Sequence, residues 1–325
     1  MRTYLLLDMS NLLYRAFYSN VRDSEDILVS MCHHSALMTM QYLNNKYKPD
    51  EIVAVFDSYS WRKEYTKYAS ISHKKYKGNR RQKLTEKQQE QLEVFDSHIQ
   101  EFYEYLRDYT SLIVLKRNLL ECDDLVAGFV DMFPNDKHII ISSDKDFIQL
   151  LNNQNVILIE PDNEKQRSLV DWNYDHEFFM FEKCLRGDTS DNVQSAYPRL
   201  QKKKIDQAYV DPFLKANIME HSFSVDYFDD EGNLKTNTYQ TKELFDENML
   251  LMDLRKQPEE IKIKIRNCIR HAMQNRSKFD LMKFIKFCGT NRLDRISANA
   301  GPFAKMLSKN SFKNSSADLL VVEDG

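Results

Sequence analysis

Three short apolar runs each stop at an aspartate, and this repeated pattern restricts the fold more than any other feature. Leu5-Leu6-Leu7 ends at Asp8, and Ile52-Val53-Ala54-Val55-Phe56 ends at Asp57. Ile139-Ile140-Ile141 passes through Ser142-Ser143 to Asp144 and Asp146. Apolar runs without polar alternation are strands buried on both faces. Leu112 to Leu115 and Val156 to Ile159 add two more. Between them lie segments of helical spacing: residues 26–47 (Ile27, Met31, Leu37, Met38, Leu43), Glu90 to Leu106, and the acid-led stretch from Glu121 to Ala127. Strands alternating with helices define an α/β class, a mainly parallel central sheet flanked by helices. In such a sheet the strands' carboxyl ends share one edge, where ligands bind.

After about Ser168 the strand signal fades. Helices are expected at Phe178 to Leu185, from Arg199-Leu200-Gln201-Lys202-Lys203-Lys204 onward and over 242–288, with a surface turn at Asp229 to Asn233. The expected division is an α/β domain at 1–167, a helical subdomain at 168–307 and a mobile, Ser/Asn-rich tail at 308–325. A basic segment at about 59–90 interrupts the first part. It is poor in aliphatics and is expected to project from the body.

No apolar run approaches the ~20 residues of a membrane helix, and no signal-peptide pattern is seen. The five cysteines are scattered without a CxxC pair. Neither a zinc knuckle nor a disulfide framework is expected, and a reducing cytoplasm fits. Net charge is only −3, from 46 Lys+Arg against 49 Asp+Glu. The charges are segregated, however: between Arg62 and Lys83 nine cations face one acid, Glu64. Separate basic and acidic surfaces suit a polyanion held against bound cations.

Nine carboxylates stand at strand ends or in loops: Asp8, Asp57, Glu121, Asp123, Asp124, Asp144, Asp146, Asp188 and Asp191. Singly, each has an ordinary explanation. Asp8 or Asp57 can cap a helix (Ser10 or Asn11 serving equally after the first strand), the turn at Glu121 can complement a helix dipole, and Asp144 and Asp146 can form a turn. Gathered at one edge, they repel unless cations neutralise them. An all-oxygen set selects hard ions, Mg²⁺ or Mn²⁺, and not zinc. There are enough ligands for two ions, which at a spacing of about 3.5–4 Å serve in-line phosphodiester hydrolysis. The basic stretch supplies Lys and Arg for phosphates and Tyr for unpaired bases. Lys77 and Arg80, sharing a face if helical, can reach a scissile phosphate. Nucleic-acid contacts are further expected from Arg15, Arg62, Lys63, Lys74, Lys75, Tyr76 and Arg81. A non-catalytic DNA-binding scaffold is the alternative. A haloacid-type phosphatase needs a second Asp where Ser10 stands.

The motif order resembles the 5′-nuclease superfamily, which includes flap endonucleases. The matching stretches are Leu7-Asp8-Met9-Ser10-Asn11, Val55-Phe56-Asp57, Tyr76-Lys77-Gly78-Asn79-Arg80, Glu121-Cys122-Asp123-Asp124, Ser142 to Asp146 and Gly187-Asp188-Thr189-Ser190-Asp191-Asn192. Tyr59 to Lys63 and Glu247 to Asp253 resemble the T-even-type phage ribonuclease H branch. The resemblance implies a first metal group of Asp8, Asp57, Glu121, Asp123 and Asp144. Asp146, Asp188 and Asp191 form the second, with Asp124 shared or one step removed. It implies an arch bearing Lys77 and Arg80, and a helix–three-turn–helix from Gly187 to Lys204, with a duplex grip by Arg199, Lys202, Lys203 and Lys204. It further implies a monomer that cuts 5′ flaps and degrades RNA or DNA from 5′ ends, removing RNA primers during replication. A sliding clamp and a single-strand-binding protein are the implied partners, which Phe303, Met306, Leu307 and Phe312 could serve, a mobile, unpaired terminus being the default. One departure stands out: the family's Gly-rich hairpin is replaced by Val193-Gln194-Ser195-Ala196-Tyr197-Pro198.

Overall fold

The computed structural model describes residues 1–20, 25–80, 85–169, 175–229 and 231–309. Its first half runs β1 (Thr3–Asp8), α1 (Met9–Asn20), α2 (Glu25–Tyr47), β2 (Glu51–Val55), α3 (Trp61–Tyr68), α4 (Glu86–Tyr109), β3 (Ile113–Leu115), α5 (Cys122–Met132), β4 (Lys137–Ile141), a 3-10 helix (Lys145–Asn152), β5 (Val156–Ile159) and β6 (Gln166–Arg167). The second half runs α6 (His176–Arg186), α7 (Lys202–Val210), α8 (Pro212–Met219), β7 (Ser222–Phe228), β8 (Leu234–Gln240), α9 (Thr241–Met252), α10 (Glu259–Gln274), α11 (Leu281–Thr290), α12 (Asp294–Ala298) and α13 (Ala300–Leu307).

The sheet order is β3-β2-β1-β4-β5-β6. The first five strands are parallel, and β6 is an antiparallel edge. Connections leave β1 toward opposite sides, so the switch point lies beside it, where open α/β sheets bind ligands. Asp8 ends β1, Asp57 follows β2 and Asp144 follows β4. The three acids therefore flank that point. Successive strand residues alternate between two cores. Leu5, Leu7, Ile52, Ala54 and Ile139 face α2, α4 and α11–α13. Tyr4, Leu6, Val53, Val55 and Ile140 face α5 and α10. The α5–α10 crossing is so close that a Cβ at Gly128 would lie 2.1 Å from Ile265 Cγ2.

Several expectations need correction. Residues 259–307 close over both faces of the sheet, so packing does not follow a boundary at residue 168. Phe303, Met306 and Leu307 are core residues and cannot meet a partner; Phe312 lies outside the described residues, as do 310–325, Arg81 and Asp230. β7 and β8 form an antiparallel hairpin in a region read as helical. Its period-two pattern (Phe223, Val225, Tyr227) is diluted by polar neighbours, because only one face is covered. In α2 apolar residues occur all round. Spacing alone therefore did not select the buried face of Leu28, Cys32, Ala36, Leu37, Met40 and Leu43, and Ile27, Met31 and Met38 face outward.

The basic segment does not simply project. Trp61, Arg62, Thr66 and Tyr76 are buried, because aromatic rings and a paired guanidinium fill a core without aliphatics. Ile71 N–H donates to Glu247 (3.0 Å), and His73 stacks on Tyr227 with ring centroids 4.3 Å apart. All five cysteines are free. Among the described residues no helix is long and apolar enough to cross a membrane.

Candidate active site

Eight of the nine carboxylates line one cleft of about 1140 Å³ at the carboxyl edge of the sheet: Asp8, Asp57, Glu121, Asp123, Asp144, Asp146, Asp188 and Asp191. Local bonds aim them. Asp8 itself caps α1, in place of Ser10 or Asn11, accepting Asn11 N–H at 2.9 Å; its other oxygen accepts the Ser142 hydroxyl at 2.8 Å. Asp57 Oδ1 accepts Cys122 N–H at the start of α5 (2.8 Å), and Asp57 N–H donates to Ser10 Oγ (2.8 Å). Asp123 Oδ1 accepts Asp124 N–H (2.7 Å), and Asp144 Oδ1 accepts Asp146 N–H (2.9 Å). Capping does not exclude a place in the cleft: both Asp8 oxygens accept protein donors, but elsewhere one oxygen fixes the side chain and leaves the second for the cleft. For Asp57, Asp123 and Asp144 that second oxygen has no hydrogen-bond partner among the described residues.

Asp146 faces them from the 3-10 helix after β4, and Asp188 and Asp191 from the loop after α6. Gly187 ends α6 at φ +70°, and a Cβ there would lie 2.6 Å from both Val193 O and Ser195 N. Asp188 and Val193 exchange backbone hydrogen bonds (3.2 and 2.7 Å). Asn248 of α9 donates to the Cys184 and Gln194 carbonyls, both at 2.8 Å. These contacts shape the α6–α7 turn without the glycine-rich hairpin. Lys183, which the sequence reading missed, reaches Asp146 at 2.5 Å and Asp188 at 3.5 Å. Its one available signal was a position one helical turn before Gly187. Asp191 is held by Arg80 (2.6 Å), the Tyr76 hydroxyl (2.8 Å) and Lys77 (3.8 Å).

Asp124 does not reach the cleft. It is fully buried, and Arg62 grips both its oxygens at 3.0 and 2.9 Å. Gln257 and the Glu121 N–H complete its shell. Arg62, 1% exposed, also donates to Glu121 (3.0 Å) and to the Leu251 carbonyl (2.7 Å). Arg62 and Tyr76 therefore buttress the acids and are closed to nucleic acid. Asp124 belongs to the same buried support. Lys77 and Arg80 are not helical, and Lys77 has φ 54°. A turn carries both into the cleft, where Lys77 Nζ meets Glu121 at 2.5 Å. Arg15 and Lys63 also line it, Arg15 pairing with Asp162. Lys74 is half-buried and Lys75 exposed. Arg199, Lys202, Lys203 and Lys204 form an exposed basic group where α7 begins.

The electrostatics call for cations. Burial, then the facing Asp57, pushes Asp8 up to about 7. Asp144, deep in the cleft beside Asp146, is pushed up to about 6. Asp57 and Asp123 are also raised, by their depth in the protein and by neighbouring acids. Asp57 and Asp144 are exposed to the cleft, so burial is partial there and repulsion from Glu121 and Asp146 adds to it. Glu121 behaves oppositely: burial opposes its charge, yet Lys77 and Arg62 hold it down at about 2. Unpartnered carboxylate oxygens on acids that resist ionisation fit hard divalent ions.

A stability consequence follows. A carboxylate raised in the folded state makes the native protein bind more protons than the unfolded chain, so stability falls as pH rises. For Asp8 that window runs from the ordinary carboxylate range to about 7. Metal-free protein is expected to melt lower at about pH 8 than at about pH 5.5, with Mg²⁺ raising Tm more at the higher pH. Calorimetry with and without chelator checks this; a Tm gain from Mg²⁺ that is equal at both pH values contradicts it.

A parallel sheet whose switch-point edge carries a cleft of carboxylates has its ligand site where open α/β sheets place one. The sequence pattern of the 5′-3′ exonuclease N-terminal resolvase-like domain matches residues 3–180. The chain belongs to that 5′-3′ exonuclease family. The fold is also similar to that of the bacteriophage T5 D15 protein co-crystallised with metal ions (TM-score 0.60, 20% identity, covering 84% of this chain and 100% of that one). It is similar to the T5 flap endonuclease in a pseudo-enzyme–product complex with DNA and metal ions (TM-score 0.60, 19% identity, covering 84% and 100%). A T5 5′-exonuclease with bound zinc gives a TM-score of 0.58 at 19% identity, again covering 84% and 100%. No curated protein sequence matches the chain.

Proposed function

We propose that the protein is a divalent-metal-dependent 5′-to-3′ exonuclease and flap endonuclease. In this reading it hydrolyses phosphodiesters at 5′ ends of RNA–DNA and DNA duplexes and removes RNA primers in phage lagging-strand replication. The convergence of eight carboxylates with Lys77 and Arg80 on one cleft carries this reading. Complexes of the T5 relatives with metal ions and DNA support it.

Asp8, Asp57, Glu121, Asp123 and Asp144 would hold one Mg²⁺, and Asp146, Asp188 and Asp191 a second, with Mn²⁺ a substitute. Bound ions supply charge neutralisation and water activation. The chain does the rest. Lys77, Arg80 and Lys183 are counter-ions to the same acids, so metal loading frees them for a phosphate. The exposed group from Arg199 to Lys204 grips the duplex backbone. On this reading residues 1–167 carry most of the chemistry, and 168–307 add Lys183, Asp188 and Asp191 to the cleft and supply duplex contacts. The enzyme is a cytoplasmic monomer that works with a sliding clamp and a single-strand-binding protein.

The test is a 5′-labelled flap substrate and an RNA primer–DNA hybrid, with Mg²⁺ titrated. Short 5′ products from both, abolished by chelator, are expected. Tight DNA binding without cleavage at any Mg²⁺ concentration would favour the non-catalytic scaffold instead.

A further inference from the structure

Within the acidic cleft, Lys77, Arg80 and Lys183 each meet a carboxylate. A second cavity, of about 450 Å³, is different. It is lined by Ser58, Gln100, Tyr103, Lys116, Arg117 and Lys264, among others. Among the described residues none of its three cations forms an ion pair. Lys116 Nζ donates to Gln100 Oε1 at 2.6 Å and sits 5.1 Å from the centre of the Tyr103 ring. Gln100 in turn donates to Glu104 (2.7 Å), and Tyr103 is fixed edge-on to Phe56. Arg117 is exposed on a tight loop pinned by the Leu119 carbonyl, which accepts Trp61 N–H at 3.0 Å, with Leu119 at φ 74°. Lys264 projects from α10, which packs on β3. Asp57, Asp96 and Glu104 bear on Lys116 from a distance without pairing with it.

Three cations gathered without a carboxylate partner repel each other until an anion joins them. The position of the cavity says which anion. Ser58, next to Asp57, lines both spaces, and both are walled by α4, through Asp96 on one side and Gln100, a turn later, on the other. The acidic cleft is also lined by α6 and the Gly187 loop, which lead in the chain to the basic group on α7. A strand whose duplex part lies on that basic group and which crosses the metal site can continue past Ser58 into the second cavity.

We propose that the second cavity binds backbone phosphates of the single strand leading away from the scissile bond on its 5′ side. This rests on the nuclease reading above. Arg117 and Lys264 supply the charge at the mouth, and Lys116, held by Gln100, supplies it at the base.

The test measures binding by the full-length protein in chelator, using fluorescence anisotropy. The same duplex is offered with and without a ~10-nucleotide 5′ flap. Arg117→Ala/Lys264→Ala is expected to weaken flap binding about five- to tenfold and to reduce the salt slope by about 1.4, two phosphate contacts on a single strand. Binding of the unflapped duplex stays at the wild-type level. The charge-preserving Arg117→Lys/Lys264→Arg restores flap binding, whatever the alanine variant does to folding. Equal losses on both substrates, or no loss on either, would overturn the proposal. Cleavage by the wild type decides the nuclease reading separately, so an unchanged double variant beside an active wild type counts against this cavity alone.

Discussion

Asp144→Asn is expected to lower cleavage of a flapped duplex by 10³-fold or more. The amide retains the shape and can still accept Asp146 N–H. What it loses is the charge on the oxygen that has no protein partner. Charge stabilisation by a bound metal is worth several kcal/mol, and about 4 kcal/mol corresponds to 10³ in rate. DNA affinity should hold or rise slightly, because one negative charge leaves the cleft. Single-turnover cleavage and anisotropy on the same substrate separate the two effects. Cleavage at the wild-type rate would remove Asp144 from the chemistry.

Arg62→Ala is expected to produce the largest loss of stability. It leaves Asp124 buried without its cation and Glu121 with Lys77 alone, and breaking such a buried pair typically costs about 3–5 kcal/mol. For a chain of this size the drop in Tm should be roughly 4–7 °C. Arg62→Lys should recover little, since a single ammonium cannot span Glu121, both Asp124 oxygens and the Leu251 carbonyl. A near-native Tm combined with lost DNA affinity would return Arg62 to the nucleic-acid surface.

These two residues mark the reach of the sequence. Asp144 was legible because the Ile139–Ile141 run fixes a central strand, and the fold then dictates where its end lies. Asp8 and Asp57 were legible for the same reason. Arg62 was misread because a basic, aliphatic-poor segment looks solvent-facing by composition. Its burial comes from acids some sixty residues away, Glu121 at |i−j| 59 and Asp124 at 62. For Asp124 the resemblance left two places open, shared or one step removed; neighbours in a helix's first turn point in different directions, and the Arg62 pairing puts it one step removed. Lys183 went unseen because a lone helical lysine carries no signal until α6 is set against the 3-10 helix bearing Asp146. The β7–β8 hairpin was lost to its own polarity, though it holds His73 and so the first half of the basic segment. Sequence shows where charge is; only packing shows whether a carboxylate or a phosphate answers it.

The central claim is that the carboxylate cleft exists to hold divalent ions. The most direct measurement is anomalous diffraction from crystals of the wild-type protein soaked in Mn²⁺. Two peaks are expected, one among Asp8, Asp57, Glu121, Asp123 and Asp144 and one among Asp146, Asp188 and Asp191. A cleft without manganese, its acids still occupied by Lys77, Arg80 and Lys183, would contradict the account.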